Sequence, residues 1–328
     1  MINKNLHVSA SVLAACLAMG AISNSAHATI TLYEKGPLTY QLKSDLQIQL
    51  KEDVGTDQDL NVDFDDLELK NVVNYKINDD LTALGELHFS YDNAARSETR
   101  DTSRLEEAFL GFKFSNAKVV IGKTNSAGDE FGVEKALESI GIDDDGFAAV
   151  ADNGDDLIRL DASLGNVSIA SSVELEADGE GVDQDKSFAD FFISAKIGSA
   201  KIAAAYMNYN DNPASGSTDG DADVGGVSIS FKAGGLNIGA DYSTVDYEGN
   251  TDVSISNLAV SFATAPTTSV SLGVANEDPD GGAKVKGWYG NVTYKFPIAK
   301  NVRLFAEIGD NDKDDVDLGY VLGLRVLL

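Results

Sequence analysis

Cysteine and histidine are scarce in this sequence of 328 residues, which holds one Cys and three His. Cys16, His7 and His27 all lie within the first 28 residues, so His88 alone remains beyond them. A lone cysteine cannot form an intrachain disulfide, and one histidine cannot build a histidine zinc site. A catalytic triad would have to use His88, which lies in a plain strand pattern without a nucleophile elbow. We therefore expect no enzyme activity, no metal site and no cofactor.

Basic side chains are also few, with 25 Lys and Arg against 53 Asp and Glu, for a formal net charge of −28 at pH 7. Binding to nucleic acid needs Lys and Arg against the phosphates, so this balance excludes nucleic acid as a partner. Such a charge can also indicate disorder. The hydrophobic content of 43% and the 14 Phe and 11 Tyr oppose disorder and predict a folded chain.

No run of 18 apolar residues follows residue 28, which excludes a transmembrane helix there. The N-terminus itself has Lys4, a short apolar stretch from Val8 to Ile22, and then Ala26-His27-Ala28. This order is typical of a secretory signal peptide that is cleaved after Ala28. We expect residues 1–28 to be removed and residues 29–328 to form the domain. The alternative, a lipoprotein box at Leu13–Cys16, would place the cleavage site inside the apolar core.

Apolar and polar residues alternate over segments of about ten residues, which is the length of a tilted strand that crosses a bilayer. In the last segment Tyr320, Leu322 and Leu324 share one face, whereas Gly323 and Arg325 share the other. A period of two predicts strands with one apolar and one wet face.

Short and long connectors between the predicted strands alternate along the chain. Seven tight turns are predicted at 78–80, 115–116, 165–166, 198–199, 234–235, 264–266 and 297–298. Eight longer acidic or glycine-rich loops are predicted at 52–58, 93–102, 123–155, 176–186, 210–222, 246–252, 277–283 and 310–315. Fifteen connectors give an all-β, 16-stranded antiparallel transmembrane β-barrel, which at this size encloses an aqueous channel. The alternative, a soluble β-sandwich, predicts no such regular exchange of short and long connectors.

Four short motifs occur in order along this predicted barrel: Thr29–Lys35, Ala108–Phe114, Glu130-Phe131-Gly132 and Gly323-Leu324-Arg325. In this order and spacing the chain resembles the general diffusion porins of Gram-negative bacteria, a family of trimeric 16-stranded barrels. The resemblance implies location in the outer membrane, a homotrimer, contact with lipid and lipopolysaccharide, and passage of small polar solutes and ions. The sequence departs from the family at its last residue, Leu328, where the family has an aromatic residue.

The resemblance also implies that the long third loop, here residues 123–155, folds into the barrel and narrows it. The acidic candidates for the constriction in this loop are Glu130, Glu134, Glu138, Asp143, Asp144 and Asp145. We expect a short helix over residues 133–140. The alternative is that these carboxylates are ordinary solvated loop charges.

The wall facing this loop is expected to be mixed in charge. The family places basic residues at inward wall positions, but the corresponding positions here are Asp66 and Glu106. Bases are supplied by Lys35, Arg104 and Arg159, of which Arg104 shares a strand face with Glu106. Since rings of one charge sign set ion preference in a narrow lumen, we expect cations to be favoured.

Two other functions remain open from the sequence. One is a substrate-selective channel, for example for oligosaccharides, in which inward aromatics such as Tyr289 and Phe305 form a sugar slide. The other is a soluble exported β-rich adhesin or binding module.

Overall fold

Seventeen strands account for most of the chain in a computed structural model that describes residues 29–56, 58–92, 95, 103–137, 142–143, 145–176, 186–211 and 220–328. The predicted signal peptide lies outside these residues. The strands are β1 (Ile30–Lys35), β2 (Leu38–Glu52), β3 (Asn61–Lys76), β4 (Leu81–Ser90), β5 (Arg104–Phe114), β6 (Ala117–Asn125), β7 (Asn153–Leu164), β8 (Val167–Glu174), β9 (Lys186–Ile197), β10 (Ala200–Asp211), β11 (Ala222–Ala233), β12 (Leu236–Tyr247), β13 (Val253–Ala265), β14 (Thr268–Pro279), β15 (Val285–Lys295), β16 (Val302–Asn311) and β17 (Gly319–Leu327).

Sixteen of these strands, β2 to β17, form a closed antiparallel ring. Each strand pairs with the next along the chain, and β17 returns to pair with β2 from Tyr320↔Glu52 to Leu327↔Asp45. Closure removes the exposed strand edges that a bilayer cannot satisfy with hydrogen bonds. The predicted 16-stranded antiparallel barrel is therefore confirmed.

The strand β1 is additional to the 16 strands that the sequence predicted. It pairs with residues 38–42 of β2, on the same edge that β17 uses further along, so β1 and β17 occupy one place in the ring end to end. Leu328 exchanges backbone hydrogen bonds with Ser44 at the junction. Gly36 turns the chain with a φ of +59°, which glycine adopts without strain, and Pro37 follows. This eighth tight turn was missed because alternation continues on both sides of it.

The two faces of the strands differ as the alternation predicted. On β17 the side chains of Leu322 and Leu324 are 55% and 45% exposed, whereas Val321 is buried. On β15 Trp288 is exposed and its neighbour Tyr289 is 2% exposed. The exposed apolar side chains point outward, where lipid covers them in a membrane, and the other face lines the interior.

The two ends of the barrel differ in the length of their connectors. Eight tight turns lie at one end, called the tight-turn end, and eight longer connectors lie at the other, called the loop end. Between β6 and β7 the described residues include a 3₁₀ turn, Gly128–Glu130, and a short helix α1, Gly146–Val150. No helix in this part of the chain is long and apolar enough to cross a membrane.

Candidate functional site

The segment between β6 and β7, residues 126–152, is called the connector below. Its first residues are fixed by Arg159 of β7, which is buried. Arg159 Nη1 donates to the carbonyls of Asn125 and Ser126 at 3.1 and 2.7 Å, and Nη2 lies 2.8 Å from both Glu130 Oε1 and Asp161 Oδ1. The predicted acid Glu130 and the predicted base Arg159 are therefore direct partners and do not face each other across a gap.

The next contacts join the connector to inward side chains of β8 and β9. The Ala127 amide donates to Ser172 Oγ at 3.0 Å, and the Gly128 amide donates to Asp190 Oδ2 at 2.6 Å. Asp190 also accepts from the Ser172 hydroxyl and amide. These donors are neutral, so the hydrogen bonds hold the carboxylate without cancelling its charge.

Apolar packing holds the middle of the connector. The rings of Phe131 and Phe147 lie 5.0 Å apart and pack, with Ala127, against inward apolar residues of β7 and β9–β12, among them Met207 and Val224. Gly226 on β11 makes room for both rings, because a Cβ there would lie 2.6 Å from Phe131 and 2.9 Å from Phe147. The described middle of the connector therefore packs against apolar side chains of these strands.

Residues 133–136 form no regular secondary structure and Leu137 lies in a bend, so the predicted helix over residues 133–140 is wrong in its described part. Alternate amides of this segment donate to the barrel wall: Val133 to Asp241 Oδ2 at 2.8 Å, Lys135 to Tyr289 Oη at 2.7 Å and Leu137 to Glu307 Oε2 at 2.7 Å. Asn291 returns a hydrogen bond to the Lys135 carbonyl. Side chains of the barrel wall thus accept the backbone hydrogen bonds that carbonyl groups of the same segment would accept in a helix.

Asp145 has a structural role in the connector. Its carboxylate accepts from the amides of Phe147 and Ala148 at 2.8 and 3.1 Å and caps α1, and the side chain is buried. The Gly146 amide donates to Ser243 of β12 at 2.9 Å. Of the other predicted acids, Asp143 is exposed and Glu134 is half-buried, whereas Glu138 and Asp144 lie outside the described residues.

Asp129 lies beside Glu130 and accepts from Asn125 at 2.9 Å. Although this side chain keeps solvent contact, the surrounding protein removes part of its hydration. This desolvation, aided by the charge of Glu130, raises the pKa of Asp129 to about 6. Its charge therefore changes close to neutral pH.

Across the ring from β9–β13 lies a wall of inward charged residues on β17, β2 and β3. Arg325 Nη2 lies 2.5 Å from Asp45 and 3.0 Å from Asp66. Gln47 and Gln49 donate to Asp65 and Asp63 at 2.6 and 3.0 Å. Asp66 is thus an inward acid, as predicted, but its partner Arg325 was not among the predicted bases.

A second charged group occupies β3–β5. His88 is buried with Nε2 3.0 Å from Glu68 and Nδ1 3.6 Å from Glu107, and Lys70 lies 3.6 Å from Glu68. Glu107 also accepts from Thr124 at 2.9 Å. These four residues were not among the predicted site residues. A bulge inserts Glu106 between the pairs His88↔Glu107 and Phe89↔Leu105, so alternation alone does not place both Glu106 and Glu107 inward.

The remaining predicted wall residues lie apart from one another. Arg104 pairs with Glu106 at the loop end of β5, as the shared face predicted. Lys35 is exposed beside the turn after β1, at the tight-turn end. The structure therefore brings together Glu130 with Arg159, Arg104 with Glu106, and Asp66 with Arg325, and it leaves Lys35 apart.

The inward aromatic rings of Tyr289 and Phe305 are buried by packing and are not exposed to the lumen. A Cβ on Gly273 would lie 2.2 Å from the Tyr289 ring, and one on Gly323 would lie 2.0 Å from the Phe305 ring. Both rings are almost fully buried on these glycines. They offer no face for a sugar slide.

Among the described residues, no group of three or more His, Cys, Asp and Glu side chains is placed to hold a metal ion.

Comparison with known proteins places this architecture in context. A model of the Gram-negative porin family matches residues 10–316. Porin-like protein H of Photobacterium profundum is 24% identical over 334 residues, covering 94% of this chain and 97% of the relative. The trimer form of in-vitro folded OmpT of Vibrio cholerae aligns with a TM-score of 0.71 at 20% identity, covering 89% of this chain and 100% of that chain. An anion-selective porin from Comamonas acidovorans aligns with a TM-score of 0.69 at 12% identity, covering 89% and 100%.

Proposed function

The chain belongs to the Gram-negative porin family and is an outer-membrane β-barrel porin, and from this premise we propose that its lumen carries small hydrophilic solutes and ions by passive diffusion, with a preference for cations. Family and fold indicate a channel and not an enzyme. A ring of 16 strands is wide enough to enclose water, and its inner face carries the charged side chains described above.

We further propose that the connector lies inside the lumen and forms the constriction. Its amides donate to inward side chains on β8, β9, β12, β15 and β16, which span about half of the ring. Phe131 and Phe147 add an apolar anchor on the same side. The open passage would then lie between the connector and the charged wall of β17 and β2–β5.

The cation preference rests on one observation in particular: Asp190 and Asp241 are held by neutral donors. Backbone amides of Gly128 and Val133, the Ser172 hydroxyl and the Asn257 amide donate to them. Both carboxylates are buried in the wall, and such bonds orient them without a cationic partner. Their negative charge would then act on passing ions through surroundings of low dielectric constant. By contrast, Arg159 beside the connector, which is buried, and Arg325 on the facing wall, which is half-buried, are each paired with two acids.

Reversal potentials across a planar bilayer with a KCl gradient test the preference. We expect the potential to move toward the equilibrium potential of K⁺. A potential that moves toward the value for Cl⁻ would refute the cation preference while leaving the channel itself intact.

The remaining assignments extend from the same premise. We propose a homotrimer whose apolar outer faces contact each other, lipid and lipopolysaccharide, which three equal conductance steps per insertion would support. We also propose cleavage after Ala28. N-terminal sequencing of protein from the outer membrane should then begin at Thr29, and any other start would exclude that site.

A further inference from the structure

Basic residues occur in facing pairs at the tight-turn end of the barrel, in a chain that is otherwise strongly acidic. Lys113 pairs with Lys118 across β5 and β6, and Lys196 pairs with Lys201 across β9 and β10. In each hairpin both residues are the second from the turn. Like charges directly opposite each other destabilise a sheet. Such pairs nevertheless recur at the same distance from the turns, and this recurrence indicates that they serve a function.

A third pair, Lys295 and Arg303, faces across β15 and β16, and Arg303 in turn faces Arg325 on β17. These three residues share the strand parity of the inward residues Tyr289, Phe305 and Val321. The row therefore points into the lumen. Cross-strand partners lie about 5 Å apart at Cβ, close enough for two side chains to contact one small ion.

The three groups of basic residues differ in whether a carboxylate or an aromatic ring lies beside their positive charges. Lys118 is paired with Asp161 at 3.1 Å, and Lys201 lies over the Phe192 ring at 5.4 Å. Arg325 is engaged with Asp45 and Asp66. In the described part of the chain no carboxylate lies within ion-pair distance of Lys295 or Arg303.

Two observations point to an anion at this last pair. Lys295 faces Arg303 directly across β15 and β16, so two positive charges lie side by side. Arg303 Nε is buried and donates to no acceptor among the described residues. A buried donor without a partner is unfavourable, and an oxyanion would satisfy it together with the adjacent ammonium group.

We propose that Lys295 and Arg303 bind small polyvalent oxyanions, such as sulfate or phosphate, at the tight-turn mouth of the lumen. The other basic pairs at the same level raise the local anion concentration around this site. The proposal rests on the proposed channel, since the ions must reach the site through water. It also gives the lumen two ends of opposite character, because the long acidic connectors lie at the loop end. In outer-membrane barrels the tight turns face the periplasm, so the site would face that compartment.

Inorganic sulfate, added to one side of a planar bilayer at constant ionic strength, is the probe. In the native protein we expect sulfate to reduce the KCl current, and to do so at lower concentration from the tight-turn side. The double variant K295Q/R303Q should raise the half-blocking concentration about tenfold, since it removes two charge-assisted contacts.

The matched control is K51Q/K284Q, which removes two positive charges at the loop end, where Lys51 pairs with Asp53 and Lys284 with Asp278. The half-blocking sulfate concentration of this variant should stay within about twofold of the native value. Salt in the KCl solution screens the interaction between sulfate at the tight-turn mouth and charges at the loop end. Heat-modifiable migration on a gel verifies that each variant forms the barrel. A native channel that conducts but is not blocked by sulfate, or an equal loss in both variants, overturns the anion site and leaves the channel standing. A native protein that conducts nothing would instead refute the proposed function.

Discussion

At the scale of single residues, Arg159 shows how a buried charge organises the candidate constriction. It joins β7 to the start of the connector through two backbone carbonyls and two carboxylates. The sequence indicated an inward base here, but it could not show that Glu130 is its partner, because 29 positions separate them in the chain. Contacts of this kind depend on the path of the connector and not on local pattern.

Removing this cation should destabilise the barrel. Arg159→Gln leaves Glu130 and Asp161 without their common partner, and breaking a buried ion pair in this way costs about 3–5 kcal/mol. The free energy of unfolding in urea, measured in detergent micelles, should fall accordingly. Arg104→Gln is the control, because Arg104 is exposed and its pair with Glu106 should contribute about 1 kcal/mol or less. Equal effects of the two substitutions would contradict the role of Arg159.

Gly273 offers a test of the packing beneath the connector. In Gly273→Ala the new Cβ would lie 2.2 Å from the Tyr289 ring, so the ring must move, at a cost of about 1–3 kcal/mol for overpacking. Movement of the ring should weaken the bond from the Lys135 amide to Tyr289 Oη and make single-channel current noisier. Gly225→Ala, where no atom lies within 4 Å of the added methyl group, should leave the current unchanged. Quiet channels in both variants would exclude this coupling.

At the scale of elements, the strands could be predicted from the sequence and the connector could not. Period-two patterning is local and is visible wherever lipid and water lie on opposite faces, as on β15 and β17. The path of residues 133–137 instead depends on hydrogen bonds to Asp241, Tyr289 and Glu307, which lie on distant strands. The bulge at Glu106 and the turn at Gly36 interrupt the strands without a clear signal in the sequence pattern.

The connector also predicts a dependence on pH. The pKa of Asp129 is raised to about 6, so its negative charge is present above that pH and is lost as pH falls through it. If this charge contributes to the cation preference, the reversal potential in a KCl gradient should move toward zero between pH 7 and pH 5. Asp129→Asn should have a smaller preference at pH 7 and a flatter pH response. An identical response in native protein and variant would exclude Asp129 as the titrating group.

At the scale of the whole molecule, charge is distributed along the barrel axis. The long acidic connectors lie at one end, and the facing basic pairs lie at the other. The net charge of −28 describes the chain as a whole and does not show where along the barrel axis the charges lie. Only the strand register shows that Lys295, Arg303 and Arg325 stand side by side, since 30 positions separate the first from the last along the chain.

The central claim is a water-filled channel narrowed by a connector that wall carboxylates hold in place, and single-channel conductance tests it most directly. Native protein in KCl should open stable channels. The double variant D190A/D241A removes the acceptors for the Gly128 and Val133 amides, so its channels should be noisier and of altered conductance, whereas D223A, which removes an exposed acid outside these contacts, should match the native trace. Absence of channels in the native protein, or identical traces from all three proteins, would contradict the account.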